Sequence, residues 1–229
     1  MRAMILAAGL GTRMRPLTLS RPKPLLKAGE KPLIEYQIER LARIGVERIV
    51  INHAWLGEQI EKELGTGERF GVSLQYSAEQ DPLETAGGIR TALPLLADGE
   101  EDCFLVVNGD VYTELSDEQL VALRLTTRQQ AHLVLVDNPV WHPQGDFYLA
   151  GDGSVHAEGE PRYTFAGISL LRASLFTGLN PEEPAPLAPL LREAMARGAV
   201  CGTHVDAYWD DIGTPERLAA LDQRLTGEI

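Results

Sequence analysis

Gly9, Gly11, Thr12, Arg13, Arg15, Arg21, Lys23 and Lys27 all fall within AAGLGTRMRPLTLSRPKPLLK, and no Asp or Glu precedes Glu30. Glycines in a turn let backbone N–H groups approach a phosphate closely, because glycine lacks a Cβ and tolerates positive φ. The arginines that follow offer a planar, permanently charged fork to phosphate oxygens. Lys23, held between Pro22 and Pro24, adds a compact point charge. A polyphosphate gripped from two sides is the chemistry this pattern suits. A bare Gly-x-Gly would be an ordinary surface turn. The G-x-G-x-x-G fingerprint is broken by Met14 and no G-x-x-x-x-G-K-[ST] occurs, so neither a dinucleotide fold nor a P-loop fits.

Candidate metal ligands lie elsewhere. Asp110 ends the apolar run DCFLVVNGD, and an open α/β sheet binds ligands beyond the carboxyl ends of its strands. Asp210 and Asp211 come about a hundred residues later, in YWDDIGTPE. Magnesium prefers hard oxygens and takes one or two carboxylates plus substrate phosphates, so two aspartates suffice. A turn-forming Asp after Gly109 is the plain alternative for Asp110.

The bulk composition narrows the ligand. Residues 1–29 hold six basic side chains and no acid, in a chain of net charge −12, which leaves −18 on the remainder. That balance argues against general affinity for nucleic acid or anionic membranes and favours a small polyphosphate. No apolar run approaches the ~20 residues of a membrane span. The start, MRAMILAAGLGTR, has an apolar core of only about six residues, too short for a secretory leader. Cys103 and Cys201 sit in apolar, strand-like runs without metal-ligand spacing, which suits small core residues in a reducing compartment. The expected address is cytoplasmic.

These groups need a scaffold, and the chain alternates between strand and helix patterns. AMILAA (3–8), ERIVINH (47–53), VSLQYS (72–77), DCFLVVNGD (102–110), AHLVLVD (131–137), YTFAGISLL (163–171) and AVCGTHV (199–205) read as strands. Residues 33–45, 55–65, 116–127 and 187–198 read as helices, three of them ending at Gly45, Gly65 and Gly198, and the fourth opening with Ser116 as N-cap. This alternation predicts an α/β fold: a single-domain, Rossmann-like three-layer sandwich with a mostly parallel central sheet. At 229 residues one domain is expected, burying roughly 70% of the surface of its unfolded form. Residues 138–161, rich in Gly, Pro, His and Asp with short strands at FYLA and SVHA, predict a small antiparallel excursion that covers a ligand.

The long motif LAAGLGTRMRPLTLSRPKPLL resembles the signature of the sugar-nucleotidyltransferases, which join a nucleoside triphosphate to a sugar 1-phosphate and release pyrophosphate. The resemblance covers nearly the whole chain. EQDPLETAGGI is similar to the family's nucleobase loop, VNGD to its metal-and-sugar strand end and YWDDIGTPE to its second metal motif. Brevity, together with NHAW, NPVWHPQGDF and GEPRYTFAGI, looks most like the branch that uses UTP and N-acetylmuramate 1-phosphate to recycle cell-wall sugar.

The resemblance implies a nucleotide-binding half at about 1–110 and a sugar-binding half at about 111–229. It implies Mg2+ as cofactor on Asp110 and Asp211, Arg13 at the β and γ phosphates, and Lys23 at the α side. The nucleotide would be held by Ala8, Gly9, Gly11, Thr12, Arg13, Lys23, Glu79, Gln80 and Thr85, and the sugar by Asn108, Gly109, Gly145 and Glu160. Partners would be UTP and a sugar 1-phosphate, with no nucleic acid and no membrane, in a monomer or small homo-oligomer. A carboxylate at Glu79 suits the donor-rich edge of guanine as well as uracil N3–H, so mannose 1-phosphate with GTP, or glucose 1-phosphate with UTP or dTTP, stays open. A non-catalytic nucleotide-sugar sensor is the rival of another class. The family's usual Glu-Lys-Pro is here Gly159-Glu160-Pro161, which removes a cation from the sugar phosphate. Arg162 and Lys23 are the candidate substitutes, with an ordinary solvated strand residue the equal alternative for Arg162. His53, His142, Trp55, Trp141 and Trp209 are expected to be structural or rim residues.

Overall fold

A computed structural model describes residues 1–227. The chain begins with β1 (Arg2–Leu6), the short strands β2 (Lys27–Ala28) and β3 (Lys31–Pro32), α1 (Leu33–Arg43), β4 (Arg48–His53), α2 (Gly57–Leu64), β5 (Ser73–Ala78) and α3 (Glu84–Leu96). It continues through β6 (Cys103–Asn108), β7 (Val111–Thr113), α4 (Asp117–Val121), β8 (Ala131–Val136), β9 (Phe147–Leu149), β10 (Val155–His156) and β11 (Arg162–Arg172). α5 (Leu187–Ala196), β12 (Val200–His204), β13 (Trp209–Asp211) and α6 (Pro215–Thr226) complete it.

Nine strands form the main sheet in the order β10-β9-β11-β6-β1-β4-β5, with β8 pairing β11 and β12. β1, β4, β5 and β6 are mutually parallel, and only β10 and β11 run against the other seven. Alternate residues of β1 enter opposite cores, as the period of a strand requires. Ala3 and Ile5 pack with Ile34, Ile38 and Leu41 of α1 and Ile60 of α2, whereas Met4 packs with Ala86 and Ile89 of α3 and Leu191 of α5. The result is three layers, as the strand-helix alternation predicts. No helix among the described residues is long and apolar enough to cross a membrane.

A third, smaller cluster matters for the site. Met14, Leu26 and Leu33 pack with Ile212 and with Leu221 of α6, so the arginine-rich segment is anchored from both ends of the chain. Gly29 N–H also donates to Asp222 Oδ1 at 2.7 Å.

Several elements differ from the sequence pattern. The helix expected over 116–127 ends at Val121. Ser116 and Gln119 cap it reciprocally, but Leu123 and Leu125 lie two apart, a spacing that cannot serve one helical face. α3 was not expected, because Gly87, Gly88 and Pro94 are poor helix formers. Its glycines answer to packing instead: a Cβ on Gly87 would lie 2.3 Å from the Glu183 carbonyl oxygen, and one on Gly88 would lie 2.6 Å from Glu79 Oε1. α6 was also missed, although Thr214 as N-cap, Pro215 in the first turn and Gly227 in the left-handed region are regular start and stop signals. Cys103 and Cys201 prove to be only partly buried.

Candidate active site

The strand ends of β1, β4, β5 and β6 open into a cleft of about 240 Å³. Ala8, Gly9, Lys23, Glu79, Thr85, Asn108 and Asp110, all expected from sequence, line it together with Asn52. Two further clefts adjoin it through Asn108. One is lined by Trp141, His142, Asp146, Gly167, Trp209 and Asp211, and the other by Thr85, Asp146, Phe147, Phe165, Ser169 and Leu187.

The floor of the first cleft is a buried hydrogen-bond chain. Ala7 N–H donates to Asn52 Oδ1 at 3.0 Å, Asn52 Nδ2 donates to Glu79 Oε1 at 2.6 Å, and Leu83 N–H donates to Glu79 Oε2 at 2.9 Å. Both Glu79 oxygens are therefore engaged in joining the ends of β1, β4 and β5 to the start of α3. Gln80, its neighbour, is exposed and lies outside the cleft.

Lys23 is buried, and its Nζ lies 2.5 Å from Asp110 Oδ2. The two-stranded ladder of β7 and β13 places Asp211 opposite Val111, and Ile212 N–H donates to the Asp110 carbonyl at 2.8 Å. Two aspartates a hundred residues apart thus adjoin. Asp211 is bonded by the guanidinium of Arg217, which lies 3.6 Å from Asp210 Oδ1. Burial pushes the Asp210 carboxyl up to about 6 despite that guanidinium, and Oδ1 has no hydrogen-bond partner.

The pair Asp110 and Asp211 fits a hard divalent cation that keeps positions open for substrate oxygens. No group of three or more His, Cys, Asp or Glu side chains with metal-holding geometry occurs among the described residues, so a cage made wholly of protein ligands is not built.

The remaining expected residues lie off the clefts. Gly11, at φ +60, accepts from the Thr18 hydroxyl at 2.7 Å and opens the turn Thr12–Met14. Thr12 and Arg13 are exposed, and a Cβ on Gly213 would lie 3.4 Å from the Arg13 guanidinium. Gly109 N–H donates to the Leu6 carbonyl at 2.9 Å, with no room for a side chain. Gly145, at φ +61, is wedged against Asn138 and Arg162, while Glu160 is exposed.

Arg162, one of the two candidates to replace the missing lysine, lines none of the three clefts. Arg162 donates to the Asp146 carbonyl, and its Nε is buried without a partner. His53 is buried against Glu61 at 2.7 Å, and Trp55 Nε1 donates to the Thr18 carbonyl, so both are structural. His142 and Trp141 line the second cleft, as does Trp209, which donates to the Ala166 carbonyl at 2.9 Å.

Asn52, Asp146, Gly167 and Arg217 were not read from the sequence. Asn52 carried the signal used for Asp110, a polar residue at the carboxyl end of an apolar strand. Asp146 follows Gly145 in HPQGDF; its Oδ2 accepts from Phe165 N–H at 2.8 Å, and it lines two clefts. A lone glycine within a strand marks a bulge, and the β8–β11 register shifts between Phe165 and Ser169 around Gly167. Arg217 carries no sequence signal, because its importance lies in what α6 packs against.

Residues 2–147 match the family described as Nucleotidyl transferase. Over 223 residues the chain is 49% identical to N-acetylmuramate alpha-1-phosphate uridylyltransferase of Neisseria meningitidis serogroup B, covering 95% of each chain. It is 33% identical over 235 residues to the protein of the same name from Caulobacter vibrioides, covering 97% of this chain and 96% of that one. The structure of HddC from Yersinia pseudotuberculosis complexed with GMP-PN superposes with a TM-score of 0.78 at 22% identity, over 97% of this chain and 98% of that one, a likeness of fold.

Proposed function

The chain belongs to the nucleotidyl transferase family, and from that premise we propose that it transfers a uridylyl group from UTP to N-acetyl-α-muramate 1-phosphate, releasing pyrophosphate. The observation that carries this reading is that Lys23 and Asp110 pair in one cleft while Asp211 lines a second that adjoins it through Asn108. Identity of 49% to a uridylyltransferase supports the choice of UTP and of the sugar. The reaction serves reuse of cell-wall peptidoglycan sugar in the cytoplasm.

The acceptor phosphate has a second pKa of about 6 and is largely dianionic at neutral pH, so it attacks the α-phosphorus without a strong general base. Catalysis rests on alignment and on cations that stabilise the charge developing on pyrophosphate. Arg13 serves the β and γ phosphates and Lys23 the α side. Asp110 and Asp211 would hold Mg2+, which when bound supplies positive charge to the reacting phosphates. Ala8 and Gly9, which line the first cleft, offer backbone to the triphosphate. Thr85, which lines the first cleft, addresses the base, while Glu79 braces the strand ends beneath it. Asn108, where the three clefts join, addresses the sugar.

Pyrophosphate release with five nucleoside triphosphates against four sugar 1-phosphates tests the proposal, with Asp110→Asn as control. The expected result is a preference for UTP with N-acetylmuramate 1-phosphate, lost in the variant. A preference for GTP with mannose 1-phosphate would overturn the substrate assignment, and metal-independent binding without turnover would overturn the enzyme.

A further inference from the structure

Resting on that reading, we infer that Arg217 is the cation that receives the phosphate of the sugar 1-phosphate, and that Asp211 holds it in place until the substrates arrive. An acceptor dianion must approach a triphosphate of the same sign, and repulsion between close like charges is large where water is excluded. A cation on the acceptor side is therefore needed. Lys23 lines the first cleft and is paired with Asp110, and Arg162 is committed to the Asp146 carbonyl. Neither faces the second cleft.

Arg217 does. Its guanidinium is bonded to Asp211 and stacks over the Trp141 ring at 4.4 Å from the centroid, and both of those residues line the second cleft. Its side chain is only 17% exposed, so its position is set by packing. It lies beside a backbone stripped of side chain: a Cβ on Gly213 would come 3.0 Å from Arg217 Nη2 and 3.4 Å from the Arg13 guanidinium. Two guanidiniums, one from the opening loop and one from α6, thus flank the same glycine. A planar fork that already bonds a carboxylate in this place can bond phosphate oxygens there, since the two anions present similar oxygen pairs.

The Arg217–Asp211 ion pair and a metal ion on Asp211 exclude each other. A hard cation that takes Asp211 competes with Arg217 for that carboxylate, and the released guanidinium is left beside the acceptor cleft with its charge unpaired. Loss of Arg217 should then have opposite effects on the two ligands. Metal binding to the free protein should tighten, because Asp211 loses its competitor, while the acceptor should bind more weakly. A residue that merely supports the fold would weaken both.

The experiment compares wild type, Arg217→Gln, Arg217→Lys and Arg162→Gln. Mn2+ is titrated into the free proteins and counted by its free-ion electron paramagnetic resonance signal. KM is then measured for UTP and for whichever sugar 1-phosphate wild type turns over. Arg217→Gln should bind Mn2+ at least three-fold more tightly and raise the acceptor KM ten-fold or more, with the UTP KM within two-fold of wild type. Arg217→Lys should recover part of the acceptor KM. An acceptor KM within two-fold in Arg217→Gln, weaker Mn2+ binding, or a selective rise in Arg162→Gln instead would overturn the inference. A wild type that prefers another sugar would correct the preceding section alone, because every sugar 1-phosphate carries the same phosphate.

Discussion

Lys23 Nζ lies 2.5 Å from Asp110 Oδ2 across 87 positions of sequence, so a cation of the opening loop and an acid of the central strand neutralise each other at the cleft. The Asp110 side chain is about one-third exposed, which keeps the pair's contribution to stability small. Lys23→Ala is expected to lower turnover ten-fold or more while thermal unfolding stays close to wild type. Pyrophosphate-release kinetics beside a melting curve check this, and near-normal turnover would sink the assigned role.

Glu79 has a different weight. Replacing it with Ala leaves Asn52 Nδ2 and Leu83 N–H without their acceptor, and each unsatisfied buried group costs about 1–3 kcal/mol. Glu79→Ala should therefore lose about 2–6 kcal/mol in urea unfolding. A loss below about 1 kcal/mol would mean that the buried chain does not hold the strand ends together.

Gly167 sits at φ +70, and a Cβ there would approach Asn108 Nδ2 to 2.6 Å. Gly167→Ala should cost about 1–2 kcal/mol from the left-handed backbone alone and push Asn108 out of the clefts it joins. The expected outcome is a lower melting temperature together with a higher acceptor KM. An unchanged KM would separate Asn108 from the acceptor.

Burial pushes the Cys201 thiol up to about 11 and raises that of Cys103 as well, against the opposing charge of Arg172. A raised thiol pKa means less thiolate, the reactive form, at any pH below it. At pH 8 about one Cys201 in a thousand is ionised, against about a quarter for an unperturbed thiol. Iodoacetamide should thus modify the native protein far more slowly than the urea-unfolded chain, with a native rate that climbs past pH 10. Equal rates at pH 8 would contradict the burial.

The order of elements around the site was largely legible. Buried parallel strands such as MIL and FLVV announce themselves as apolar runs closed by Gly, Asn or Asp, and Gly45 and Gly65 mark helix ends in the sequence as in the fold. α3 was not legible, because its two glycines are poor by local propensity and are required only by the Glu183 carbonyl and the Glu79 carboxylate packed against them. The short α4 shows the reverse: an N-cap can be read locally, but where a helix stops depends on whether the next apolar residues find a face to bury.

By itself the sequence determined the residue types: glycines and cations in one loop, aspartates at strand ends, and a parallel sheet with crossover helices to carry them. Those follow from local sterics and hydrophobic periodicity, which neighbouring residues settle. Only the tertiary structure decided the pairings. Lys23 with Asp110 and Arg217 with Trp141 join residues more than seventy positions apart, and Asn52 with Glu79 ties the ends of two neighbouring strands. No spacing encodes such contacts, because they form where packed layers bring distant strand ends together and burial leaves each charge or amide to find its partner there.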